Sequence, residues 1–255
     1  SSTAPPVRQA ASACAARRDG CMRIIRSYSL AGCAGLAPDH GAAGPAGSAE
    51  PAASSGGWQA VLLPGKAPTR YAVTEKDGRW AVSARADASA SMWRRRVSVP
   101  PEQLGEARFS WWVESLPQGA HVGDIDSEDA AARVIFAFEG ELEKLSPRNR
   151  AMFDLARALT GEYPPYATLM YVWDTRAARE SVVVNPRTDR VRKIVLDSGP
   201  AELGRWREHR RQLAEDFRRA FGEEPGRLVA IAIMTDGDNT RTRTRAWYGA
   251  IELHD

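Results

Sequence analysis

Oxygen-bearing side chains crowd together at two places where a strand-like pattern turns polar. In MTDGDNTRTRTRAWYGAIEL, 234–253, residues Asp236, Asp238, Asn239 and Thr240 fall between two runs of alternating apolar residues. Such a loop offers ligands to Ca²⁺, which takes about 6–8 oxygens, and Asp236 and Asp238 are the metal candidates. It departs from an EF-hand, because Arg241 stands where the sharp turn needs glycine and the flanks read as strands. Asx side chains also brace turns by bonding backbone N–H groups. On that second expectation there is no cofactor, and the loop is a turn between neighbouring antiparallel strands at 228–234 and 246–253.

The other place is GDIDSEDAAARVIFAF, 123–138, where Asp124, Asp126, Glu128 and Asp129 precede an apolar run. Alternation puts Val134, Phe136 and Phe138 on one face of that run and Arg133, Ile135 and Ala137 on the other. A charge entering an apolar strand needs a partner, since an unpaired buried charge costs several kcal/mol. Asp129 and Asp238 are the expected partners. The pair either lines a polar ligand site or is a structural ion pair at a strand end. In YPPYATLMYVWD, 163–174, Tyr171 and Trp173 share a face, and Trp111 and Trp112 point to opposite faces of their strand. Aromatics on a sheet face can stack on sugar rings, or fill a core. Asp129, Arg133, Tyr171, Trp173, Asp238 and Asn239 are thus the candidate ligand-binding residues.

Catalytic signatures are lacking. His40, His121, His209 and His254 stand in no metal-ligand spacing, and no GxSxG nucleophile motif occurs. Carboxylate pairs would serve a polysaccharide hydrolase or lyase only at a separation that sequence does not measure.

These residues need a scaffold, and its pattern is mainly β. Candidate strands are 58–63, 70–74, 80–86, 91–99, 108–113, 132–138, 168–173, 182–184, 191–196, 228–234 and 246–253, with Asp77-Gly78 as a hairpin turn. Many short strands with polar punctuation predict an antiparallel β-sandwich, jelly-roll-like. One short helical insertion is expected at 147–159, stopped by Gly161, and one packed helix at 207–221, stopped by Gly222. Residues 56–255 are expected to form a single domain.

Residues 1–55 have another texture, rich in Ala, Gly, Ser and Pro, and read as a disordered tail or processing segment. All the cysteines, Cys14, Cys21 and Cys33, lie there, so 56–255 holds no disulfide and no cysteine metal site. Leu30-Ala31-Gly32-Cys33 resembles a bacterial lipobox, which would place a lipid anchor at Cys33; chance similarity in an Ala-rich tail is the alternative. The tail carries five arginines against three acids, leaving 30 basic and 29 acidic residues in 56–255. That balance argues against a nucleic-acid partner. No run of 18 apolar residues is present, so no transmembrane helix is expected.

The segments GDIDSEDAAARVIFAF, YPPYATLMYVWD, GRWREHRRQLAEDFRRAFGEEPG and AIMTDGDNTRTRTRAWYGAIEL, in that order, resemble the bacterial family known as domain of unknown function 3047. The resemblance directs attention to Asp129, Arg133, Tyr171, Trp173, Trp206, Arg211, Asp216, Asp236, Asp238, Asn239 and Thr240. It implies an exported protein, periplasmic or envelope-associated; a cytoplasmic one is the alternative. Ser127-Glu128-Asp129 stands where a paired aspartate is expected, a change that keeps a carboxylate. The function expected is non-catalytic recognition of a glycan or another envelope component. The alternatives are a polysaccharide-acting enzyme and a structural envelope protein without a small ligand.

Overall fold

Alternation decides which side of each strand meets the interior. Within 108–113, Phe109, Trp111 and Val113 join the main core while Arg108 and Trp112 lie on the other face. Within 133–138, Val134, Phe136 and Phe138 do the same for a second sheet. The computed structural model describes residues 21–23 and 57–254, and such strands form two seven-stranded sheets. In chain order the strands are β1 (Cys21–Arg23), β2 (Trp58–Leu62), β3 (Arg70–Lys76), β4 (Arg79–Asp87), β5 (Ser91–Val99), β6 (Glu106–Val113), β7 (Ala132–Phe138), β8 (Ala167–Asp174), β9 (Val182–Val184), β10 (Val191–Ser198), β11 (Trp206–Gln212), β12 (Leu228–Met234), β13 (Arg243–Tyr248) and β14 (Glu252–His254).

The front sheet contains β3, β4, β13, β6, β14 and β1, with β11 along the other edge of β6. The back sheet has the order β2-β5-β12-β7-β8-β10-β9. The fold is mainly β and jelly-roll-like, as the strand pattern predicts. Between the sheets Phe109 stacks on Tyr171 with ring centroids 5.4 Å apart, and Trp111 lies 6.5 Å from Trp173. Rings of this size dominate the burial that holds two sheets together.

Three expectations change. First, β8 and β10 run parallel. β9 intervenes as the antiparallel partner of β10, so the chain reverses twice between them. Second, the helix expected over 207–221 covers only α2 (Leu213–Phe221), and Trp206–Gln212 is a strand against β6. Its inward positions are Arg207, His209 and Arg211, so a period-two strand with a charged inner face looked like a basic helix. Third, the strand expected over 246–253 is broken into β13 and β14 at Gly249. A Cβ there would collide with the Ser110 hydroxyl, so glycine lets the chain pass close over β6 without displacing that side chain.

The expected insertion is α1 (Pro147–Thr160), capped by Ser146, whose Oγ accepts the Asn149 N–H at 3.2 Å, and by left-handed Gly161. In α2, Phe217 meets Phe138 edge-on, 4.8 Å away. Apart from Cys21–Arg23, which lies against β14, the residues expected to form a tail and the lipobox-like motif at Cys33 lie outside the described residues. No helix among the described residues is long and apolar enough to cross a membrane.

Candidate functional site

Arg133 projects from the outward face of β7 yet is only 2% exposed. The chain before β7 covers it: Val122 and Ala130 pack on Val172 and Val195 across the back sheet. Its guanidinium is held by Asp236, Nε to Oδ1 at 3.0 Å and a terminal nitrogen to Oδ2 at 2.8 Å, and it donates to the Glu128 carbonyl at 2.7 Å. The partner is therefore Asp236, not Asp129 or Asp238 as expected. Register explains this. Met234 stands directly opposite Arg133 on neighbouring β12, so Asp236, two residues on, falls on the same side. Burial opposes the Arg133 charge, but Asp236 and Glu128 outweigh it and raise the guanidinium above its ordinary value. The Glu128 carboxylate also meets Lys193 Nζ at 2.6 Å, and Lys193 in turn donates to the Val122 carbonyl at 2.6 Å. Burial and the nearby Arg133 charge bring Lys193 down to about 8, with Glu128 pulling the other way.

Asp129 has a different task. Its Oδ1 accepts from the Asn239 backbone and side chain at 3.2 and 3.0 Å. Its Oδ2 accepts from the Thr240 backbone and hydroxyl at 2.7 and 2.6 Å. It thus holds the 235–242 connection from outside. That connection is not the hairpin turn expected: β12 belongs to the back sheet and β13 to the front, so the chain crosses between sheets. The oxygens of Asp129, Asp236 and Asp238 lie within 4.8 Å of one another. Most of their lone pairs are already engaged. Arg133 and the Ala130 N–H occupy Asp236, the loop donors occupy Asp129, and Lys66 pairs with Asp238. A Ca²⁺ ion needs about 6–8 free oxygens, and this donor set, already neutralised by two cations, does not fit one.

Tyr171 and Trp173 are both fully buried. Neither presents a ring face to a sugar, so their expected stacking role is corrected to a core role. The Tyr171 hydroxyl donates to Asp216 at 2.7 Å, and Arg211 pairs with the same carboxylate at 2.8 Å. Nearby, buried Asp197 accepts from His209 at 3.0 Å, Trp111 Nε1 at 2.9 Å and Arg207 Nε at 3.2 Å. Burial pushes the Asp197 carboxyl up, but these donors more than offset it and bring it down to about 2.

Another candidate lies on the outward face of the front sheet, where Trp112 and Trp206 are part-exposed and Trp247 is buried at 5% exposure. Trp206, Trp112 and Trp247 are direct cross-strand neighbours on β11, β6 and β13. Ser83 of β4 and Ala72 of β3 continue the row as small residues. Trp112 and Trp247 meet edge to face at 5.0 Å. Cations cap the rings: Lys76 Nζ lies 3.8 Å from the Trp112 ring centre, Arg79 5.1 Å from Trp206, and Arg245 4.2 Å from Trp247. Among the described residues, covered side-chain donors on this face lack acceptors, namely Trp112 Nε1, Trp206 Nε1 and Arg245 Nε; Thr74 Oγ1 is unpaired as well.

Two cavities flank the tryptophan row along the strands. One, about 510 Å³, includes Ser110, Glu208, Gly249, Arg79 and the exposed Trp80. The other, about 450 Å³, includes Arg85, Glu114, Arg243 and Arg245.

The sequence pattern of the family described as "Protein of unknown function (DUF3047)" matches residues 56–252. The chain belongs to the DUF3047 family. No curated protein matches it. Among solved structures, it resembles the xyloglucanase domain of NopAA from Sinorhizobium fredii, in complex with cellobiose. Identity is 8%, over 79% of this chain and 96% of that one, with a TM-score of 0.44. Endoglucanase Cel12A from Rhodothermus marinus gives 10%, 78%, 93% and 0.41. The family 11 xylanase from Neocallimastix patriciarum gives 9%, 77%, 95% and 0.29.

The positions to which the DUF3047 resemblance points divide in two. Asp129, Arg133, Asp236, Asp238, Asn239 and Thr240 converge on the covered network, and Tyr171, Arg211 and Asp216 form a second one. Of that set, Trp206 alone reaches the open face of the front sheet. Trp112 and Trp247 were missed as site residues. Their alternation with core residues in 109–113 and 246–248 was a visible signal. Trp206 was hidden by the helix expected over its strand.

Proposed function

We propose that this DUF3047 protein recognises a glycan without catalysis, through the tryptophan face of its front sheet, and that it works in an exported or envelope-associated setting. The observation that supports this most is the cross-strand row Trp206–Trp112–Trp247, with two indole N–H groups that have no acceptor among the described residues. A covered donor left without an acceptor costs about 1–3 kcal/mol. Lys76 and Arg79 lie over the rings as long side chains, and the Arg79 side chain is half exposed. When they swing aside, a ring face and an N–H become available together, which is what a pyranose presents to match: an apolar C–H face and hydroxyl acceptors around its rim.

The competing explanation is an aromatic cluster that only stabilises the sheet, since cross-strand aromatic pairs contribute up to about 1 kcal/mol each. Retention of the full chain on insoluble polysaccharides separates the two. Trp206 is on an edge strand and partly exposed, so Trp206→Ala is expected to abolish retention while moving the melting temperature by only a few degrees. Retention equal to that of the unaltered chain would remove the glycan reading. Reducing ends released from the retained polymer would instead assign catalysis to the face.

A further inference from the structure

A second row starts beside Trp247 and runs away from the other tryptophans. Arg70, Arg85 and Arg245 stand directly opposite one another on β3, β4 and β13, two residues along each strand from Ala72, Ser83 and Trp247. Like charges directly across a sheet are destabilising. Proteins ordinarily relieve such a row with carboxylates, yet none of the three has a carboxylate partner among the described residues. Arg245 Nε is covered and meets no acceptor among the described residues. The acids that border the adjoining cavity are Asp87, which Arg243 holds at 3.0 Å, and Glu114. With Arg70, Arg85, Arg243 and Arg245 set against those two acids, this end of the face is net positive.

We infer that the ligand of this face is an acidic glycan, one bearing carboxylates on its sugars, with the arginine row binding the carboxylates while the tryptophan row meets the rings. The inference rests on the glycan reading above. Arginine suits this task because its planar guanidinium pairs with a carboxylate through two parallel N–H donors. Geometry suits it too. Adjacent strands lie about 4.8 Å apart, so the row of three spans about 10 Å, roughly two pyranoses, and the carboxylates that a two-fold (1→4)-linked chain presents on one side meet arginines of this row. The rows are two residues apart along the strands, about 7 Å. The two rows overlap at β13, so a carboxylate at the edge of a ring over Trp247 reaches Arg245, and Arg85 and Arg70 meet the stretch of chain that runs on past the tryptophans. Nucleic acid also combines anions with stacking faces. It fits less well, because the body of the chain is almost neutral and Glu208, Glu114 and Asp87 interrupt the positive charge on this face.

The test is titration calorimetry of the full chain against three probes: a (1→4)-linked polyuronate, the same polymer with its carboxyls reduced to alcohols, and an oligothymidylate. The polyuronate is expected to bind at least about tenfold more tightly than its reduced form, with affinity that falls as salt rises. Arg85→Gln and Arg245→Gln are each expected to remove about tenfold of the polyuronate affinity, and Arg85→Lys to restore part of it. The reduced polymer should bind the Arg85 variants and the unaltered chain alike. Arg85 is exposed, so its variants fold; should Arg245→Gln fail to fold, Arg70→Gln replaces it. Equal affinity for the acidic and reduced polymers would overturn the acidic-ligand inference and leave the glycan reading standing. Binding of neither polymer would overturn both. Tighter binding of the oligothymidylate would overturn both and assign the face to nucleic acid.

Discussion

Arg133 and Arg85 are both strand arginines on faces that point away from the interior, and their surroundings differ at every step. Arg133 is covered by the chain before β7, and its guanidinium meets Asp236, the Glu128 carbonyl and the Glu128 carboxylate. Arg85 is exposed, lies between Arg70 and Arg245, and has no carboxylate partner among the described residues. The first region has its charges matched and its donors used. The second keeps cations and indole N–H groups unmatched on an accessible face. A matched buried network costs much to break and gives a ligand nothing to bind. An unmatched surface row lowers stability slightly and is what an incoming anion completes. Apart from Trp206, the residues that resemblance to a family makes most conspicuous thus mark architecture, and a less conspicuous row is the better ligand candidate.

The largest expected effect lies in the closed region. Arg133→Met strands the buried Asp236, while Glu128 keeps Lys193, and should lower stability by about 3–5 kcal/mol in urea denaturation. A change below about 0.5 kcal/mol, the surface value, would erase the contrast with Arg85. Asp129→Ala comes next. It leaves the Asn239 and Thr240 donors without their acceptor and should cost about 2–3 kcal/mol. Millimolar calcium should leave the melting temperature of the unaltered chain where it is. A rise that follows RT ln(1 + [L]/Kd), and that Asp238→Asn abolishes, would show that the acidic cluster holds a cation after all.

How far the sequence reveals all this depends on the scale of the signal. Strand alternation is local, so ten of the eleven candidate strands appear within two residues of where they were expected. Arg133 was legible as a buried, paired charge because it interrupts an apolar run. Its partner was not, because Asp129, Asp236 and Asp238 are equivalent until the register of β12 on β7 is known. Tyr171 and Trp173 carry no mark that tells core from ligand face; that depends on which sheet covers them. Trp206 stood in a stretch whose inward side is Arg207, His209 and Arg211, and charged inward residues defeat an alternation test built on apolarity. The arginine row is invisible in one dimension, since Arg70, Arg85 and Arg245 become neighbours only through pairing.

Asp197 sharpens the comparison through pH. Its carboxyl is held at about 2 in the fold, against about 3.9 in an unfolded chain. A depressed carboxyl contributes stability that is complete above about pH 4 and is lost as the pH falls toward 2. Its partners Arg207 and Arg179 are partly exposed, and solvent screening reduces the gain to roughly 1–2 kcal/mol. The stability difference between the unaltered chain and Asp197→Asn should therefore shrink between pH 4 and pH 2. A difference that stays constant over that window would mean that Asp197 is not held by its donors.

The smallest expected effect belongs to the open row, and its sign matters more than its size. Arg70 is exposed at the edge of the front sheet, directly opposite Arg85. Arg70→Gln removes one like-charge repulsion and breaks no ion pair among the described residues, so it should raise stability by a few tenths of a kcal/mol. The gain is electrostatic and exposed to solvent, so it should be largest at low ionic strength. It should fade as the Debye length shrinks from about 10 Å at 0.1 M salt toward about 3 Å at 1 M. Arg133→Met should behave oppositely on both counts, losing stability at every salt concentration because its pair is shielded from the solvent. If Arg70→Gln instead lowers stability, and does so at every ionic strength, Arg70 supports the sheet in the way Arg133 does. The arginine row would then be part of the architecture, and its surplus charge would no longer point to a ligand.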